Sequence, residues 1–263
     1  MPTALIQGAS RGIGLQFCRS LVHRGTTVVA CCRNPSSAES LKNLQGQYPD
    51  LVDVVQLDVT DEAAIQRAAQ HVHNVHASRL ELLINCSGIL SPTGRGETRL
   101  KDVTLKASTG LEETLAVNTL GPLMMAKHFS QHLMAGAGTI GHQTDDPKQH
   151  HAAVLVNMSA RVGSIRDNEL GGWYSYRMSK SALNMATKNL SIELGRGKRK
   201  VICVALHPGT VNTDLSRPYH KNVPEGSLFS PTHSVNYLLT IIDKLSITDT
   251  GKYYAWNGTE IPY

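Results

Sequence analysis

The sequence lacks the features of a membrane-spanning or disulfide-bonded protein. No apolar run is long enough to cross a bilayer, and the first residues predict a strand where a signal peptide would carry basic and apolar regions. The five cysteines are an odd number without a Cys-x-x-Cys pair, which favours reduced, buried thiols. We therefore expect a soluble, cytoplasmic protein that makes no membrane contact.

A strong charge of one sign is also lacking. Lys and Arg number 26 against 21 Asp and Glu, which gives a net charge of +5, and the excess is scattered along the chain. So mild an excess suits a solvated surface or a small anionic ligand. We therefore expect no nucleic-acid partner.

Short apolar runs alternate with helical patterns through the chain. The runs are rich in Val, Ile and Leu without strict alternation, as in strands that are buried on both faces of a parallel sheet. The unbroken β-α-β-α order predicts a doubly wound, mostly parallel α/β sheet between two helical layers, a three-layer Rossmann-type single domain over residues 1–263. The predicted strands cover residues 3–7, 27–32, 52–57, 82–86, 154–158 and 201–206, with 252–256 as a candidate seventh, and the predicted helices cover residues 13–24, 37–48, 61–76, 110–134 and 176–195.

Two connecting segments between these elements are unusually long and polar. Residues 93–108 are rich in Gly, Arg and Lys and predict a loop. Residues 136–151 are polar and predict a surface insertion between a helix and a strand, which is a candidate mobile loop.

A glycine-rich turn follows the first predicted strand. It reads Gly8-Ala9-Ser10-Arg11-Gly12-Ile13-Gly14 and leads directly into a helix. Glycine permits a tight turn and a close approach of phosphate to the main chain, and the helix N-terminus offers free N–H groups. An ordinary turn is the alternative for such a motif alone, but its place between strand and helix indicates a pyrophosphate site.

Arginines stand where the choice between nicotinamide cofactors is made. Sites that prefer NAD carry an acidic residue after the second strand, and here Arg33 occupies that place. A guanidinium matches a 2′-phosphate, and Arg11 in the turn is a second candidate partner. Two solvent-exposed arginines are the alternative, but their positions favour NADP(H) over NAD(H).

A tyrosine and a lysine lie four residues apart at the start of a predicted helix. Tyr176 and Lys180 would share one helical face. A neighbouring ammonium favours the phenolate and lowers its pKa, so that the pair can donate or accept a proton while hydride moves to or from a carbonyl carbon. Alone, the pair is equally consistent with an ordinary amphipathic helix, and it gains weight from the glycine turn upstream.

These motifs together resemble the classical short-chain dehydrogenase/reductase family over nearly the whole chain. Besides the glycine turn, the resemblance rests on Asn85-Cys86-Ser87-Gly88, on Asn118, on Tyr176 with Lys180, and on the segment from His207 to Thr213. Further details, including Val162-Gly163-Ser164-Ile165, resemble the sniffer-like or C-factor-like carbonyl reductase subgroup. The resemblance implies an enzyme that reduces an aldehyde or ketone with NADP(H), acts on a small-molecule carbonyl substrate, and forms a homodimer or homotetramer.

The resemblance also implies a role for each matching residue. Tyr176 would be the general acid/base, Lys180 would lower its pKa and hold the nicotinamide ribose, and Asn118 would kink its helix and hold a proton-relaying water. The implied cofactor-binding residues are Gly8, Ser10, Arg11, Gly12, Ile13, Gly14, Arg33, Asp58, Val59, Asn85, Ser87, Gly88, Tyr176, Lys180, Pro208, Gly209, Val211 and Thr213.

The catalytic serine of the family is the main departure. Where the family reads N-x-S-S, this chain reads Asn157-Met158-Ser159-Ala160, and Ala160 holds the catalytic place. Ser159 is the provisional replacement because it is nearest, and Ser164 is its rival. The departure also leaves open a second function, that of an NADP(H)-binding, redox-responsive partner protein with little catalysis.

Two aromatic or imidazole features have weaker implications. His71, His73 and His76 fall on one predicted helix but lack the spacing of a shared face, so we expect no metal site. Trp173 precedes Tyr174 and Tyr176 and suits either a pocket wall or the core.

Overall fold

Seven parallel strands form the central sheet of the computed structural model, which describes residues 1–90, 96–106 and 110–263. The strands of this sheet are β1 (Thr3–Gln7), β2 (Thr27–Cys32), β3 (Val52–Gln56), β4 (Leu82–Asn85), β5 (Ala153–Met158), β6 (Val201–His207) and β9 (Tyr253–Ala255), and a two-stranded sheet holds β7 (Thr210–Val211) and β8 (Leu228–Phe229). The order β3-β2-β1-β4-β5-β6-β9 runs outward in both directions from β1 and β4. Doubly wound sheets of this kind form a ligand crevice at the carboxyl ends of the strands where the order reverses.

Helices cover both faces of the sheet. They are α1 (Gly12–His23), α2 (Glu39–Gln47), α3 (Glu62–Val75), α4 (Leu111–Leu115), α5 (Gly121–Met134), α6 (Tyr174–Leu194) and α7 (Pro231–Ile242). One apolar core joins the sheet to α1, α2 and α7, and includes Phe17 and Leu238. The other joins it to α3, α5 and α6, and includes Ile65 and Phe129. The predicted three-layer Rossmann-type fold is therefore confirmed.

Most predicted elements begin and end within two residues of the observed ones. The predicted helix over residues 110–134 is divided by a π-helical turn, Ala116–Leu120, which separates α4 from α5. Helix α7 has no counterpart in the prediction, although Ser230 caps it by accepting from the His233 N–H and Pro231 stands at its first position. That pair is a recognised helix start, and the signal was therefore present in the sequence.

The segment over residues 136–151 connects α5 to β5 and is attached to the body of the protein. The Glu81 carboxylate accepts hydrogen bonds from the main-chain N–H groups of Ala137, at 2.9 Å, and Thr139, at 3.1 Å. In the segment over residues 93–108, positions 93–95 and 107–108 lie outside the described residues. The rest contains a short 3₁₀ turn, Leu100–Asp102.

All five cysteines are free, and four of them are buried. Within the described ranges, no helix combines the length and the apolar character that crossing a bilayer requires.

Candidate active site

The glycine turn has a backbone that side chains would obstruct. Gly8 lies at φ 85°, and a Cβ there would be 2.7 Å from the main-chain nitrogen of Ser87. A Cβ on Gly14 would lie 2.2 Å from the carbonyl oxygen of Gly8. Helix α1 starts at Gly12 without a side-chain cap, so its first N–H groups are available to a ligand. The turn is thus a cradle for an anion next to a helix N-terminus.

A cavity of about 1000 Å³ opens beside this turn. All the predicted cofactor-binding residues except Asn85 line it, which brings the turn, the ends of β2 to β4 and the segment after β6 to one place. The predicted catalytic residues Tyr176, Lys180 and Ser159 also line it. Predicted site residues from widely separated parts of the sequence, between positions 8 and 213, therefore line a single crevice.

Asn85 and Asn118 lie beneath the cavity and do not line it. Asn85 is buried and donates to Asn157 Oδ1 at 2.8 Å, which joins the ends of β4 and β5. Its side-chain amide is thus directed into the protein, and the expectation that Asn85 flanks an adenosine stays a prediction. Asn118 lies in the π-helical turn, where its side chain bonds the main chain of Ile89 in both directions and donates to Ser179 Oγ at 3.0 Å.

The two arginines near the turn differ in their availability. Arg11 already pairs with Asp214 at 3.1 Å. Arg33 is exposed, lines the main cavity and also an adjoining polar cavity of about 520 Å³, and has no ion pair within the part of the chain that the structure describes. The Arg33 guanidinium is therefore available to bind an anionic ligand.

Tyr176 and Lys180 are buried side by side near the start of α6. The Lys180 Nζ lies 5.7 Å from the centroid of the Tyr176 ring and donates to the Met158 carbonyl oxygen at 2.8 Å. Burial lowers the pKa of Lys180 to about 8. Burial also raises the pKa of the Tyr176 phenol, so the expected lowering by Lys180 is not found in this structure. The physical reason is that Nζ bonds the main chain rather than the phenol, while both groups have lost their hydration.

The short-chain dehydrogenase family model matches residues 2–224 of this sequence. This chain belongs to the short-chain dehydrogenase family. Six of its seven sheet strands, its glycine turn and its Tyr176–Lys180 pair lie within the matched region, and β9 follows it.

Relatives of this short-chain dehydrogenase include two solved carbonyl reductases. The NADPH-bound carbonyl reductase from chicken fatty liver is 32% identical and superposes with a TM-score of 0.85, covering 100% of this chain and 99% of that one. The carbonyl reductase Sniffer of D. melanogaster is 29% identical, with a TM-score of 0.85 and complete coverage of both chains. The C-signal protein of Myxococcus xanthus is 30% identical over 72% of this chain and 96% of its own length. The predicted resemblance to sniffer-like and C-factor-like proteins is therefore confirmed.

Both candidate serines of this short-chain dehydrogenase are bound to other groups. Ser159 Oγ donates to Asn184 Oδ1 at 2.7 Å. Ser164 is buried, and its hydroxyl donates to the Pro262 carbonyl and accepts from the Asp167 N–H at 3.1 Å. Ala160 lines the cavity at the family position without a hydroxyl. A carbonyl-polarising role for Ser159 stays a prediction, and it requires Ser159 to break its bond with Asn184.

Two aromatic side chains, Trp173 and Tyr219, form a wall of the cavity. Trp173 lies at φ 49°, after Gly171 and Gly172, which also have positive φ. Its ring lies 4.6 Å from that of Tyr219 and 6.3 Å from that of Tyr176, measured between centroids. The Tyr219 hydroxyl accepts from the Gly96 N–H at 2.6 Å. Trp173 is thus a pocket wall, whereas Tyr219 was missed because no motif marks its segment.

A buried histidine also faces this cavity and was not predicted as a site residue. His207 ends β6 and lines the cavity, and its Nδ1 has no partner among the described residues. Burial, followed by the nearby charge of Arg161, lowers the pKa of His207 to about 4. The imidazole is therefore neutral at physiological pH.

Proposed function

We propose that this chain is an NADP(H)-dependent carbonyl reductase that converts an aldehyde or ketone to the alcohol, reversibly. The observation that carries this proposal is the position of Tyr176 and Lys180 in the same cavity as the glycine turn. The uncapped start of α1 and the space at Gly8 and Gly14, which a Cβ would fill, fit a dinucleotide pyrophosphate. The NADPH-bound relative supports the same assignment.

The chain supplies a proton donor and a charged anchor for this reaction. NADPH, when bound, provides the hydride for the carbonyl carbon. The Tyr176 hydroxyl donates its proton to the carbonyl oxygen, and its raised pKa keeps it protonated until the oxygen takes up negative charge. Lys180, when protonated, places a positive charge beside the phenol and the cofactor ribose. Trp173 and Tyr219 form an aromatic wall beside Tyr176.

The cofactor preference rests on Arg33. A charge-assisted contact with a 2′-phosphate is worth roughly 1.5–3 kcal/mol, or about 10- to 100-fold in affinity. We expect NADPH to bind more tightly than NADH by such a factor and Arg33→Asp to remove most of the preference. Arg11→Ala should have the smaller effect because Arg11 is already paired with Asp214. Equal affinity of the wild type for both cofactors would contradict the proposal.

A second function is favoured by one observation, the absence of a free hydroxyl at position 160. The chain would then be an NADP(H)-binding, redox-responsive partner protein with little catalysis. A panel of aldehydes and ketones, assayed by the loss of NADPH absorbance, separates the two functions. Tight NADPH binding without turnover of any carbonyl would favour the second.

We also propose a homodimer or homotetramer. Helix α6 leaves Met178, Met185 and Ile192 exposed at a seven-residue spacing, which forms an apolar stripe along one side of the helix. Light scattering should show an oligomer for the wild type and a smaller species for Met185→Glu.

A further inference from the structure

Two histidines and an aspartate meet near the amino end of β3, away from the carboxyl ends of the strands where the cavity lies. Asp53 is the second residue of β3, His71 lies in α3, and His76 follows the end of that helix. Asp53 Oδ2 lies 2.6 Å from His71 Nε2 and 2.8 Å from His76 Nε2. All three atoms lie within 4.8 Å of one another. Three groups of the kind that bind metals therefore converge on one point.

The end of α3 brings the two histidines together. Positions 71 and 76 would not share a face on a continued helix. The helix stops at Val75, however, His76 takes φ −113° and ψ 30°, and Ala77 and Ser78 follow with positive φ. His73 is bound elsewhere, because its Nδ1 contacts the hydroxyl of Ser78. The reason for expecting no metal site on this helix is thus removed for His71 and His76.

We propose that Asp53, His71 and His76 form a binding site for a divalent transition metal of the zinc class. Two imidazoles and one carboxylate are a recognised three-ligand set, with water in the remaining positions. Zinc holds such atoms at about 2.0–2.2 Å, which spaces them by more than a hydrogen bond does. In tetrahedral geometry the two nitrogens must therefore each lie roughly 0.6–0.8 Å farther from Oδ2 to admit the ion.

The site is open to solvent and independent of the cavity. The side chains of His71, Asp53 and His76 are 38%, 27% and 10% exposed, so an ion can reach them without unfolding. Asp53 lies near the amino end of its strand, whereas the cavity lies at the carboxyl ends. The ion would take the place of the hydrogen bonds between the imidazoles and the carboxylate and would join the edge strand β3 to the end of α3. Its expected effect is on stability, with hydride transfer unchanged.

Titration with zinc tests this site. We expect chelator-treated, full-length protein to bind one Zn²⁺ by isothermal titration calorimetry, and excess Zn²⁺ to raise the Tm by a few degrees. His71→Gln and His76→Gln should each weaken binding by roughly 10- to 100-fold or more, at least the cost of losing an outer-shell partner. His71 is the more exposed of the two, so His71→Gln should leave the fold intact. Visible absorption of the Co²⁺-loaded protein should indicate nitrogen and oxygen ligands, and His71→Gln should abolish it.

His73→Gln is the matched control, since His73 lies on the same helix and does not contact Asp53. It should bind Zn²⁺ like the wild type. All three variants retain the five cysteines, so a loss of binding in His71→Gln and His76→Gln alone would also exclude the thiols as the zinc ligands. The proposal is overturned if the wild type binds no Zn²⁺, or if His71→Gln and His76→Gln bind it as tightly as His73→Gln. In either case the cluster is a hydrogen-bonded link alone. NADPH binding serves as a separate readout and should be equal in all variants.

Discussion

The cavity has a turn side, formed by residues 8–14, and an aromatic side, formed by Ala160, Trp173 and Tyr219. The turn side is formed by main chain: a Cβ at Gly14 would lie 2.2 Å from the main-chain oxygen of Gly8. The aromatic side is made of side chains from segments distant in sequence. At Gly96 an added Cβ would approach the Trp173 ring to 2.5 Å, and a ring can be displaced.

The two sides of the cavity therefore differ in the substitutions that they tolerate. A ligand on the turn side meets N–H groups whose positions follow from local chain geometry. A ligand on the aromatic side meets side chains whose identity can change without altering the sheet. We therefore expect substitutions on the turn side to affect cofactor binding generally, and substitutions on the aromatic side to change the choice of carbonyl substrate.

The largest effect is expected at Tyr176, which faces both sides. Tyr176→Phe removes the proton donor and should lower turnover by roughly 100-fold or more, while NADPH affinity changes little. Tyr174→Phe is the control, because Tyr174 lies on the same helix but does not line the cavity. Steady-state kinetics and NADPH titration measure the two effects. Ordinary activity in Tyr176→Phe would show that another group donates the proton.

The next effect tests whether the aromatic side lacks a donor. Ala160→Ser should raise turnover by up to about 10²–10³-fold, the usual worth of one oxyanion donor. Ser159→Ala should leave turnover nearly unchanged but lower the free energy of unfolding by about 1–3 kcal/mol, since Asn184 Oδ1 would lose its buried partner. A large loss of turnover in Ser159→Ala would instead assign the donor role to Ser159.

A pair of glycine substitutions measures the rigidity of the turn side. Gly14→Ala should cost about 1–3 kcal/mol of stability through overpacking and should weaken NADPH binding. Gly46→Ala, on the exposed face of α2 with open space around its Cβ, should stabilise the protein by about 0.5–1 kcal/mol. Urea unfolding compares the two, and similar stabilities would mean that the turn can relax.

The smallest effect is a pH dependence from Lys180. Its pKa in the folded protein is about 8 against an ordinary 10.5, so the folded chain loses this proton first as pH rises. The kcat/KM for NADPH should fall above about pH 8, whereas the Lys180 contribution to stability should rise between about pH 8 and 10.5. Both trends should be absent in Lys180→Met, and a kcat/KM that stays flat through pH 9 would contradict the assignment.

Prediction from sequence succeeded where the signal is local. The strand bounds of β1 and β2 were predicted to the residue, because a buried parallel strand is a continuous apolar run between turn residues. The glycine turn was found for a similar reason, since strand, turn and helix are consecutive. It did not determine the direction that a side chain takes, as at Asn85 and Ser159, whose amide and hydroxyl bond other side chains inside the protein.

By itself, then, the sequence determined the order of the elements, the cradle at residues 8–14 and the one-face pairing of Tyr176 with Lys180, because each follows from contacts between near neighbours in the chain. Tertiary structure decided which residues from separate segments meet. It placed Tyr219 against Trp173 and brought His71 and His76 to Asp53. It also gave both candidate serine hydroxyls hydrogen-bond partners within the protein. Those contacts depend on how the helices and loops pack on the sheet, and packing is a property of the whole chain that no local spacing encodes.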